Sequence, residues 1–338
     1  MRYNRLGRTG LNVPVLACGS NLVWSTPQKV LDDVFNYAID KGVNLFVTSA
    51  AYVIAEQKIS IAIGHRRDDV FIATTTDHRS AKRARVDIVN SFKIFDTDYI
   101  DIYMIGGVRR MDTVDRIFSG DGVLKVLKEF KDEGKIGHIG ITGHMPEALA
   151  KAAETGEMDV VLFIFNMGQL HALRDVMPIA EDRDVGMMAM QPLGHGFFKE
   201  VEKAFRFVLS SPSNVVVSGM YSRDEIDENI ATAERIPTEG EWNRLLDEAK
   251  SLRETGCRQC RLCVGWYLRK SYCPVDIDIP FIMTMINYRD RYGLSPKGEE
   301  KWQEEVAKCR KCDGDRRCEA LCPYGIPIVD YIKEVVKF

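Results

Sequence analysis

Nine cysteines give this sequence its most distinctive chemistry. Cys18 stands alone, and the other eight all follow residue 256 in two runs. The runs are Cys257-x2-Cys260-x2-Cys263-x9-Cys273-Pro274 and Cys309-x2-Cys312-x5-Cys318-x3-Cys322-Pro323. A reducing cytoplasm disfavours structural disulfides, so metal binding is the better interpretation of these runs.

Two kinds of metal site suit such cysteines. Cysteines separated by two residues in a tight loop can direct their sulfurs to one iron–sulfur cubane, and a remote Cys-Pro closes the cage. Structural zinc is the alternative, because four thiolates also bind Zn²⁺. A zinc site would account for pairs of cysteine ligands with C-x2-C spacing. It would account neither for the third cysteine of the first run nor for the Ile-x-Ile segment after each Cys-Pro. The pattern therefore favours [4Fe–4S] clusters.

The two runs resemble those of two-cluster ferredoxins, in which the fourth cysteine of each run binds the other cluster. The resemblance implies one cluster on Cys257, Cys260, Cys263 and Cys322, and a second on Cys309, Cys312, Cys318 and Cys273. Two spacers are longer than those typical of ferredoxins, and they predict longer loops at Val264–Tyr272 and Asp313–Arg317.

Composition and charge exclude several classes of protein. A net charge of −3 over 338 residues gives no basic footprint for nucleic acid or an anionic membrane. No apolar run approaches the roughly 18 residues that span a bilayer. The N-terminus carries no apolar signal segment, so we expect a cytoplasmic protein.

Residues 1–236 alternate short apolar segments with amphipathic helices. Strands are predicted at Val15–Ala17, Leu45–Val47, Val70–Thr74, Tyr99–Met104, Ile136–Ile141, Val160–Phe163, Gly186–Met190 and Asn214–Val217. Helices are predicted at Pro27–Lys41, Val123–Phe130, Pro146–Ala153, Leu170–Glu181, Glu200–Leu209 and Arg223–Ala233. Eight strands in about 235 residues favour a (β/α)8 TIM barrel, preceded by a hairpin over residues 6–14. A doubly wound sheet is the rival, but no strand is followed by G-x-G-x-x-G.

The pattern changes after Pro237, where charged helices flank the two cysteine runs. We predict helices at Glu241–Glu254, Phe281–Tyr288 and Lys297–Lys308. The expected organisation is therefore a barrel domain over residues 1–236 and a small α-helical, ferredoxin-type [4Fe–4S] domain over residues 237–338.

Four segments of the barrel resemble the aldo-keto reductase superfamily. They are Tyr3-Asn-Arg-Leu-Gly-Arg-Thr-Gly-Leu, Gly42-Val-Asn-Leu-Phe, Gly134-Lys-Ile-Gly-His-Ile-Gly-Ile and Gly219…Glu228-Asn229. With its tail, the chain is similar to members of anaerobic bacteria and archaea that carry a ferredoxin-type domain. The resemblance implies an oxidoreductase barrel whose usual cofactor is NADPH.

The superfamily's Asp-Tyr-Lys-His tetrad is only partly present. The matching segments retain Tyr52 but place Val47, Thr75 and Gly106 where the superfamily has Asp, Lys and His. In the tetrad, the tyrosine protonates a carbonyl oxygen while NADPH delivers hydride, and the other members lower its pKa. Without a nearby cation, the pKa of Tyr52 is expected to stay near its ordinary value of about 10. NAD(P) is therefore kept only as an alternative cofactor.

Chemistry in a TIM barrel takes place at the carboxyl ends of the strands. Of the residues expected there, Tyr52 and His144 are assigned as catalytic, and Arg109, Arg110, His78 and Trp24 as substrate-binding. The resemblance implies cofactor contacts at Asn166, Gln191, Gly219, Ser222 and Asn229. Cys18 and His195 fall at the same rim. Structural alternatives stay open: His144 and His78 as loop residues, the arginines as solvated side chains, and Cys18 as a small core residue.

Four functions follow from these observations. The main hypothesis is an iron–sulfur oxidoreductase, in which two [4Fe–4S] clusters pass electrons to or from a small molecule at the barrel mouth. The alternatives are an electron-transfer subunit for a partner oxidoreductase, an NAD(P)H-dependent carbonyl reductase with replaced catalytic residues, and an acid–base lyase or hydratase with structural clusters. The expected partners are a small-molecule substrate and a ferredoxin or other redox protein.

Overall fold

The computed structural model describes residues 1–52, 54–252, 256–257, 259–265 and 273–336. Eight parallel strands close into one barrel, which confirms the predicted (β/α)8 architecture. The barrel strands are β3 (Leu16–Gly19), β4 (Leu45–Val47), β5 (Phe71–Thr76), β6 (Ile100–Val108), β7 (Ile136–Gly143), β8 (Val160–Ile164), β9 (Gly186–Met190) and β10 (Val215–Ser218). Strand β10 pairs with both β9 and β3, which closes the barrel.

The strands read as continuous apolar runs because both of their faces are buried. All five residues of β8 are buried, for example. One set of side chains, including Leu45, Ile102 and Met104, fills the barrel interior, and a larger set packs between the strands and the surrounding helices. The barrel is therefore a packed core whose chemistry is confined to its rim.

Ten helices surround the barrel within the described residues. They are α1 (Gln28–Asp40), α2 (Ala55–Ile63), α3 (Ala81–Phe95), α4 (Met111–Ile117), α5 (Val123–Asp132), α6 (Pro146–Glu154), α7 (His171–Asp175), α8 (Met177–Asp182), α9 (Val201–Leu209) and α10 (Arg223–Glu234). The sequence analysis did not single out α2, α3 and α4. The single helix predicted over Leu170–Glu181 is wrong, because the chain breaks at Val176, where Pro178 cannot donate to a preceding turn.

A hairpin precedes the barrel, although its arms differ from the predicted range of 6–14. Strands β1 (Tyr3–Arg5) and β2 (Asn12–Pro14) pair antiparallel. Gly7 lies between them with a φ of +47°, and an ideal Cβ there would lie 2.3 Å from the backbone nitrogen of Gly186. Only glycine fits this close approach, which holds the hairpin against β9.

The tail folds into five described helices that pack on the barrel. They are α11 (Glu239–Lys250), α12 (Ile279–Tyr292), α13 (Pro296–Cys309), α14 (Arg317–Ala320) and α15 (Ile328–Val335). The rings of Phe198 and Tyr288 stack with centroids 3.8 Å apart, and Phe197 meets Phe281 edge-on at 4.8 Å. Buried apolar residues thus continue from the barrel into the tail. The division at residue 236 stays a prediction, and most of the loop expected over Val264–Tyr272 lies outside the described residues.

None of the described helices is both long and apolar enough to cross a membrane.

A buried arginine ties the tail to the barrel. Arg206 of α9 is 4% exposed and donates through Nε to Glu241 Oε1 of α11 at 2.7 Å, with a second bond from Nη2 to Oε2. Its Nη1 donates to the carbonyl oxygens of Arg235 at 2.5 Å and Thr232 at 3.2 Å. One guanidinium therefore satisfies groups at the end of α10 and in the first turn of α11.

We predict that Arg206→Met lowers the free energy of unfolding by about 3 kcal/mol, because Glu241 and two carbonyl groups lose their donor. Arg244→Met removes an exposed arginine of α11 and should change the free energy of unfolding by less than about 0.5 kcal/mol.

The hydrogen bond from Arg206 lowers the pKa of Glu241 below its ordinary value of 4.5. The contribution of Glu241 to the free energy of unfolding is therefore complete above pH 4.5. It is lost as the pH falls through the lower pKa that Glu241 has in the folded protein. Urea unfolding followed by circular dichroism, from pH 7 to pH 3, measures both effects. Equal losses in the two variants would contradict the assignment.

Candidate active site and cysteine cavity

Four polar side chains converge where β4, β5, β6 and β7 end. Tyr52 follows β4, Asp77 follows β5, Arg109 follows β6 and His144 follows β7. Asp77 and Arg109 both act on the pKa of Tyr52, and Arg109 acts on that of His144. The structure thus brings three of the predicted site residues together and adds one, Asp77, that the sequence analysis did not single out. Its place directly after a strand was the available signal.

Asp77 occupies the space beside Gly106. An ideal Cβ on Gly106 would lie 2.3 Å from Asp77 Oδ1 and 2.9 Å from Thr75 Oγ1. Thr75 in turn donates to Ser49 Oγ at 2.6 Å. Burial raises the pKa of Asp77, and Arg79 and Arg109 oppose that shift. A carboxyl group and a pair of hydroxyls therefore stand at the rim where the resembling superfamily has lysine and histidine.

Tyr52 lies at the edge of the mouth with 48% of its surface exposed. Burial of the rest raises its pKa, Asp77 raises it further, and Arg109 lowers it. The phenol therefore stays protonated at neutral pH and can donate a hydrogen bond to a bound oxygen. The sequence analysis expected no cation near Tyr52; Arg109 is such a cation, but its effect is smaller than that of burial.

His144 connects the barrel mouth to the cysteine tail. Its Nδ1 lies 3.0 Å from the carbonyl oxygen of Gln259 and 3.3 Å from Arg109 Nη1. Burial lowers the pKa of His144 well below its ordinary value, and Arg109 lowers it further, so the ring is neutral. With its proton on Nδ1, the ring donates to the Gln259 carbonyl oxygen, and the 3.3 Å approach of Arg109, which can only donate, is then a contact and not a hydrogen bond. Gln259, between Cys257 and Cys260, is itself buried and donates to Thr284 Oγ1 at 2.8 Å.

Of the other predicted substrate-binding residues, Arg110 and Trp24 do not join this group, whereas His78 lies at its edge and slightly lowers the pKa of Asp77. Arg110 is exposed and makes a bidentate ion pair with Asp112. The His78 ring faces Asp87 of α3 at 3.9 Å. Trp24 is 59% exposed on the loop after β3. Their backbone positions are near the rim, but their side chains point to other partners or to solvent.

The residues predicted to contact a cofactor lie in two parts of the barrel rim: Asn166 and Gln191 follow β8 and β9, and Gly219, Ser222 and Asn229 follow β10. Asn166 is fully buried and donates to the carbonyl oxygen of Gln191 at 3.0 Å. Within the described part of the chain, Gln191 Oε1, Ser20 Oγ and Thr48 Oγ1 are buried at strand ends without a hydrogen-bond partner. Buried polar atoms are normally paired, so these three oxygens keep hydrogen-bonding capacity that no described group uses.

Ser222 lies at the N-terminus of α10, in a capping box. Its Oγ accepts from the Glu225 backbone nitrogen at 3.2 Å, and Glu225 Oε2 accepts from the Tyr221 nitrogen at 2.7 Å. Gly219 precedes this turn, and Asn229 is buried within the helix. The first turn also carries Asp224. This helix end is therefore already capped and bears negative charge.

Four cysteines of the tail line one small cavity. They are Cys257, Cys260, Cys263 and Cys322, joined by apolar side chains including Met283, Ile326 and Ile328. Burial raises the pKa of Cys257 to about 12, and Cys260 and Cys322 add to the shift. Arg109 has the opposite effect on Cys260. This cavity therefore lies close to the group at the barrel mouth.

The remaining four tail cysteines lie close to one another in the same way. Burial raises the pKa of Cys309 to about 12, and Glu305, Cys312 and Cys273 contribute to the shift. The pKa of Cys318 is raised to about 11 by burial, with further contributions that include Cys273 and Cys312. In the described ranges, no group of three or more His, Cys, Asp or Glu side chains meets the spacing for binding a single metal ion.

Cys18 is separate from both sets. It lies in β3 with 2% exposure, and burial raises its pKa to about 12. These surroundings fit a small core residue rather than a reactive thiol.

The aldo/keto reductase family profile matches residues 19–204. The chain is 26% identical over 215 residues to the aldo-keto reductase YhdN of Bacillus subtilis, covering 58% of this chain and 63% of YhdN. It is 24% identical over 300 residues to the L-galactose dehydrogenase of Arabidopsis thaliana, covering 74% of this chain and 93% of that enzyme. The two cysteine runs lie outside the residues that the family profile matches.

Solved structures share the barrel. An aldo-keto reductase from Klebsiella pneumoniae in complex with NADPH has a TM-score of 0.62 at 18% identity, covering 73% of this chain and 95% of that one. An aldo-keto reductase of Bacillus halodurans, in its holo form, has a TM-score of 0.64 at 18% identity, covering 74% and 96%. At these identities the likeness shows the fold.

The close approach of β6 and β7 beneath His144 gives a test of the site's framework. An ideal Cβ on Gly143 would lie 2.0 Å from the Val108 carbonyl oxygen, which also accepts from the His144 nitrogen at 3.1 Å. Gly143→Ala should therefore lower the free energy of unfolding by about 2 kcal/mol. Gly120→Ala, with open space around its Cβ, should change it by less than about 1 kcal/mol. Chemical unfolding of both variants measures the difference, and equal stabilities would contradict the contact.

Proposed function

The chain belongs to the aldo/keto reductase family and is an oxidoreductase, and from this we propose that it reduces the carbonyl group of a small molecule at the barrel mouth. The observation that carries the proposal is the convergence of Tyr52, Asp77, Arg109 and His144 at four adjacent strand ends. Conversion of a carbonyl to an alcohol takes two electrons and two protons. The site must therefore supply protons and stabilise negative charge on the oxygen.

Each residue of this group has a role that follows from its surroundings. Tyr52, protonated at neutral pH because its pKa is raised, donates its phenolic proton to the substrate oxygen. Arg109 places a fixed positive charge beside it, which favours the developing oxyanion. Asp77 orients the cation and keeps the phenol neutral. Neutral His144 holds the Arg109 side of the mouth against the Gln259 backbone.

The comparisons favour NAD(P)H as the source of electrons over the iron–sulfur hypothesis, for which they offer no support. The relatives are named as aldo-keto reductases or a dehydrogenase, and one neighbouring structure holds NADPH. When bound, this cofactor supplies hydride to the carbonyl carbon. The unpaired buried oxygens of Gln191, Ser20 and Thr48 fit a polar amide such as that of nicotinamide.

The phosphate end of the site fits less well. A helix N-terminus binds phosphate through its free N–H groups and its positive dipole end. In α10, Ser222 already accepts from the N–H of Glu225 in the first turn, and Asp224 and Glu225 add two negative charges there. We therefore expect this chain to bind NAD(P)H weakly.

Nucleotide binding can be tested through the charge at α10. NADPH fluorescence should change to a stoichiometric end point when protein is added. Asp224→Asn should tighten binding about two- to five-fold, because one like charge leaves the helix N-terminus. Asp247→Asn, an equal charge change near the end of α11, should leave affinity unchanged. The absence of any fluorescence change at millimolar NADPH and NADH would contradict this candidate.

A second candidate source of electrons is an iron–sulfur cluster, and the cysteine cavity is the observation that favours it. Four thiols surround one space lined otherwise by apolar side chains together with Arg261 and Tyr324, an environment in which four thiolates could hold a cubane. These are the same four cysteines that the ferredoxin resemblance assigns to one cluster. The remaining four cysteines affect one another's pKa, and Cys318 also raises the pKa of Cys263 in the first set.

The position of the cavity supports a role in the same reaction. The segment from Cys257 to Cys260 reaches His144 through the Gln259 carbonyl, and Gln169 Nε2 reaches the Cys257 carbonyl oxygen at 3.4 Å. A cluster there would supply electrons one at a time. In that case Tyr52 and Arg109 keep the roles given above, because a carbonyl needs protons and charge stabilisation from either source of electrons.

Cluster binding can be tested by metal analysis of anaerobically purified protein. About eight irons and eight sulfides per chain, with broad visible absorption, are expected for two cubanes. Cys260→Ser and Cys322→Ser should each lose the same half of the iron and the same spectral features, because both residues line one cavity. Cys18→Ser, a buried cysteine outside both sets, should retain all the iron. Zinc in place of iron, or no metal, would rule out this candidate.

A further inference from the structure

We propose that Arg109 places one positive charge beside both the barrel mouth and the cysteine cavity, and so stabilises a transferred electron at either place. The cysteine cavity is the one lined by Cys257, Cys260, Cys263 and Cys322. The proposal rests on the iron–sulfur candidate described above. It assigns the residue that tunes the reduction potential of a cluster in this cavity.

Arg109 reaches the wall of the cysteine cavity through His144. Its Nη1 lies 3.3 Å from His144 Nδ1, and the same Nδ1 lies 3.0 Å from the Gln259 carbonyl oxygen. Gln259 is 4% exposed and is joined by its peptide bond to Cys260, which is 8% exposed and lines the cavity. Two contacts through one histidine nitrogen therefore connect the guanidinium with the loop that carries the cysteines.

Gln259 is held in place from both the tail and the barrel. Its Nε2 donates to Thr284 Oγ1 of α12 at 2.8 Å, and Thr284 Oγ1 donates to the Pro280 carbonyl oxygen at 2.9 Å. On the barrel side, Gln169 Nε2 donates to the Cys257 carbonyl oxygen at 3.4 Å. The segment that begins at Cys257 is thus anchored on two sides, which fixes its position relative to the mouth.

The charge of Arg109 acts in the same direction at both places. Burial raises the pKa of Cys260 in the cavity and that of Tyr52 at the mouth, and Arg109 opposes both rises. Arg109 therefore favours negative charge on a sulfur of the cavity and on an oxygen at the mouth.

The same charge bears on the reduction of a cluster, because each added electron adds one negative charge. A nearby cation stabilises the reduced state more than the oxidised one, so the reduction potential rises. Arg261 also lines the cavity, where it donates to Asp278 Oδ1 at 3.2 Å, but of the two arginines it is Arg109 that also acts on Tyr52. Asp77 offsets part of the Arg109 charge at the mouth, which limits the size of the effect.

Electron transfer then moves negative charge from one neighbour of Arg109 to the other. The cluster gives up one electron and is oxidised, and the carbonyl group gains that electron and is reduced. Two such transfers, with two protons, convert the carbonyl group to an alcohol. An external one-electron donor, dithionite in the test below, reduces the cluster again.

The test measures the reduction potential of iron-loaded, full-length protein by titration with dithionite, followed by electron paramagnetic resonance. The signal of the cysteine cavity is the one that Cys322→Ser removes. Arg109→Met removes the charge and should lower the equilibrium constant for reduction about tenfold, which is about 59 mV for a one-electron couple. Arg109→Gln, a polar neutral substitution, should give the same shift. The shift should persist at about 0.5 M salt, because a partly buried charge is screened little.

Two controls match this change. Arg110 is the next residue in the chain, but it is exposed and paired with Asp112, so Arg110→Met should leave the potential unchanged. Arg109→Lys keeps the charge and should retain most of the wild-type potential. Iron content should be equal in the wild type and in all variants of these two arginines.

The outcomes separate this proposal from the cluster function on which it rests. Protein without iron overturns both. Full iron content with the same potential in Arg109→Met as in the wild type overturns the role of Arg109 alone. Equal shifts in Arg109→Met and Arg109→Lys, or in Arg109→Met and Arg110→Met, also overturn that role, because the effect would then not depend on this charge.

Discussion

Closure of eight parallel strands forces every carboxyl end to one rim. In an antiparallel barrel the loops would be shared between two ends, but here each strand of β3–β10 delivers its next few residues to the same face. The strands themselves are largely buried and mainly apolar, although β5 ends in three threonines and β6 contains Asp101. The larger polar side chains Tyr52, Asp77, Arg109 and His144 follow strand ends and meet at the rim.

Space at the rim decides which groups fit together. Asp77 lies against Gly106 so closely that even a methyl group would collide with its carboxyl oxygen. Asp77 and Gly106 therefore depend on each other. A larger residue at 106 would clash with the Asp77 carboxyl group, and a smaller residue at 77 would leave a void beside Gly106. Arg109 balances part of the charge of Asp77 and lies beside the Tyr52 phenol. Tyr52, which the resemblance matches to the superfamily's tyrosine, therefore has Asp77 and Arg109 as its electrostatic neighbours.

The tail is held by several independent contacts rather than by one linker. Arg206 joins α9 to α11, the Phe198–Tyr288 stack joins the loop after β9 to α12, and His144 meets Gln259 at the mouth. Contacts at three separate places fix the orientation of the tail as well as its distance. As a result, the cavity lined by Cys257, Cys260, Cys263 and Cys322 lies next to the residues of the barrel mouth.

The sequence by itself determined the eight barrel strands and their order, but not helices α2, α3 and α4 or the break between α7 and α8. Buried parallel strands and amphipathic helices have distinct periodicities, so the barrel was predictable. The four cysteines that line one cavity were implied by the ferredoxin resemblance. The sequence did not determine which rim side chains point inward. Arg109 and Arg110 are adjacent, yet one joins His144 and the other turns to Asp112. Asp77 and Gln259 also depended on tertiary structure, because their partners are distant in sequence and only packing brings them together.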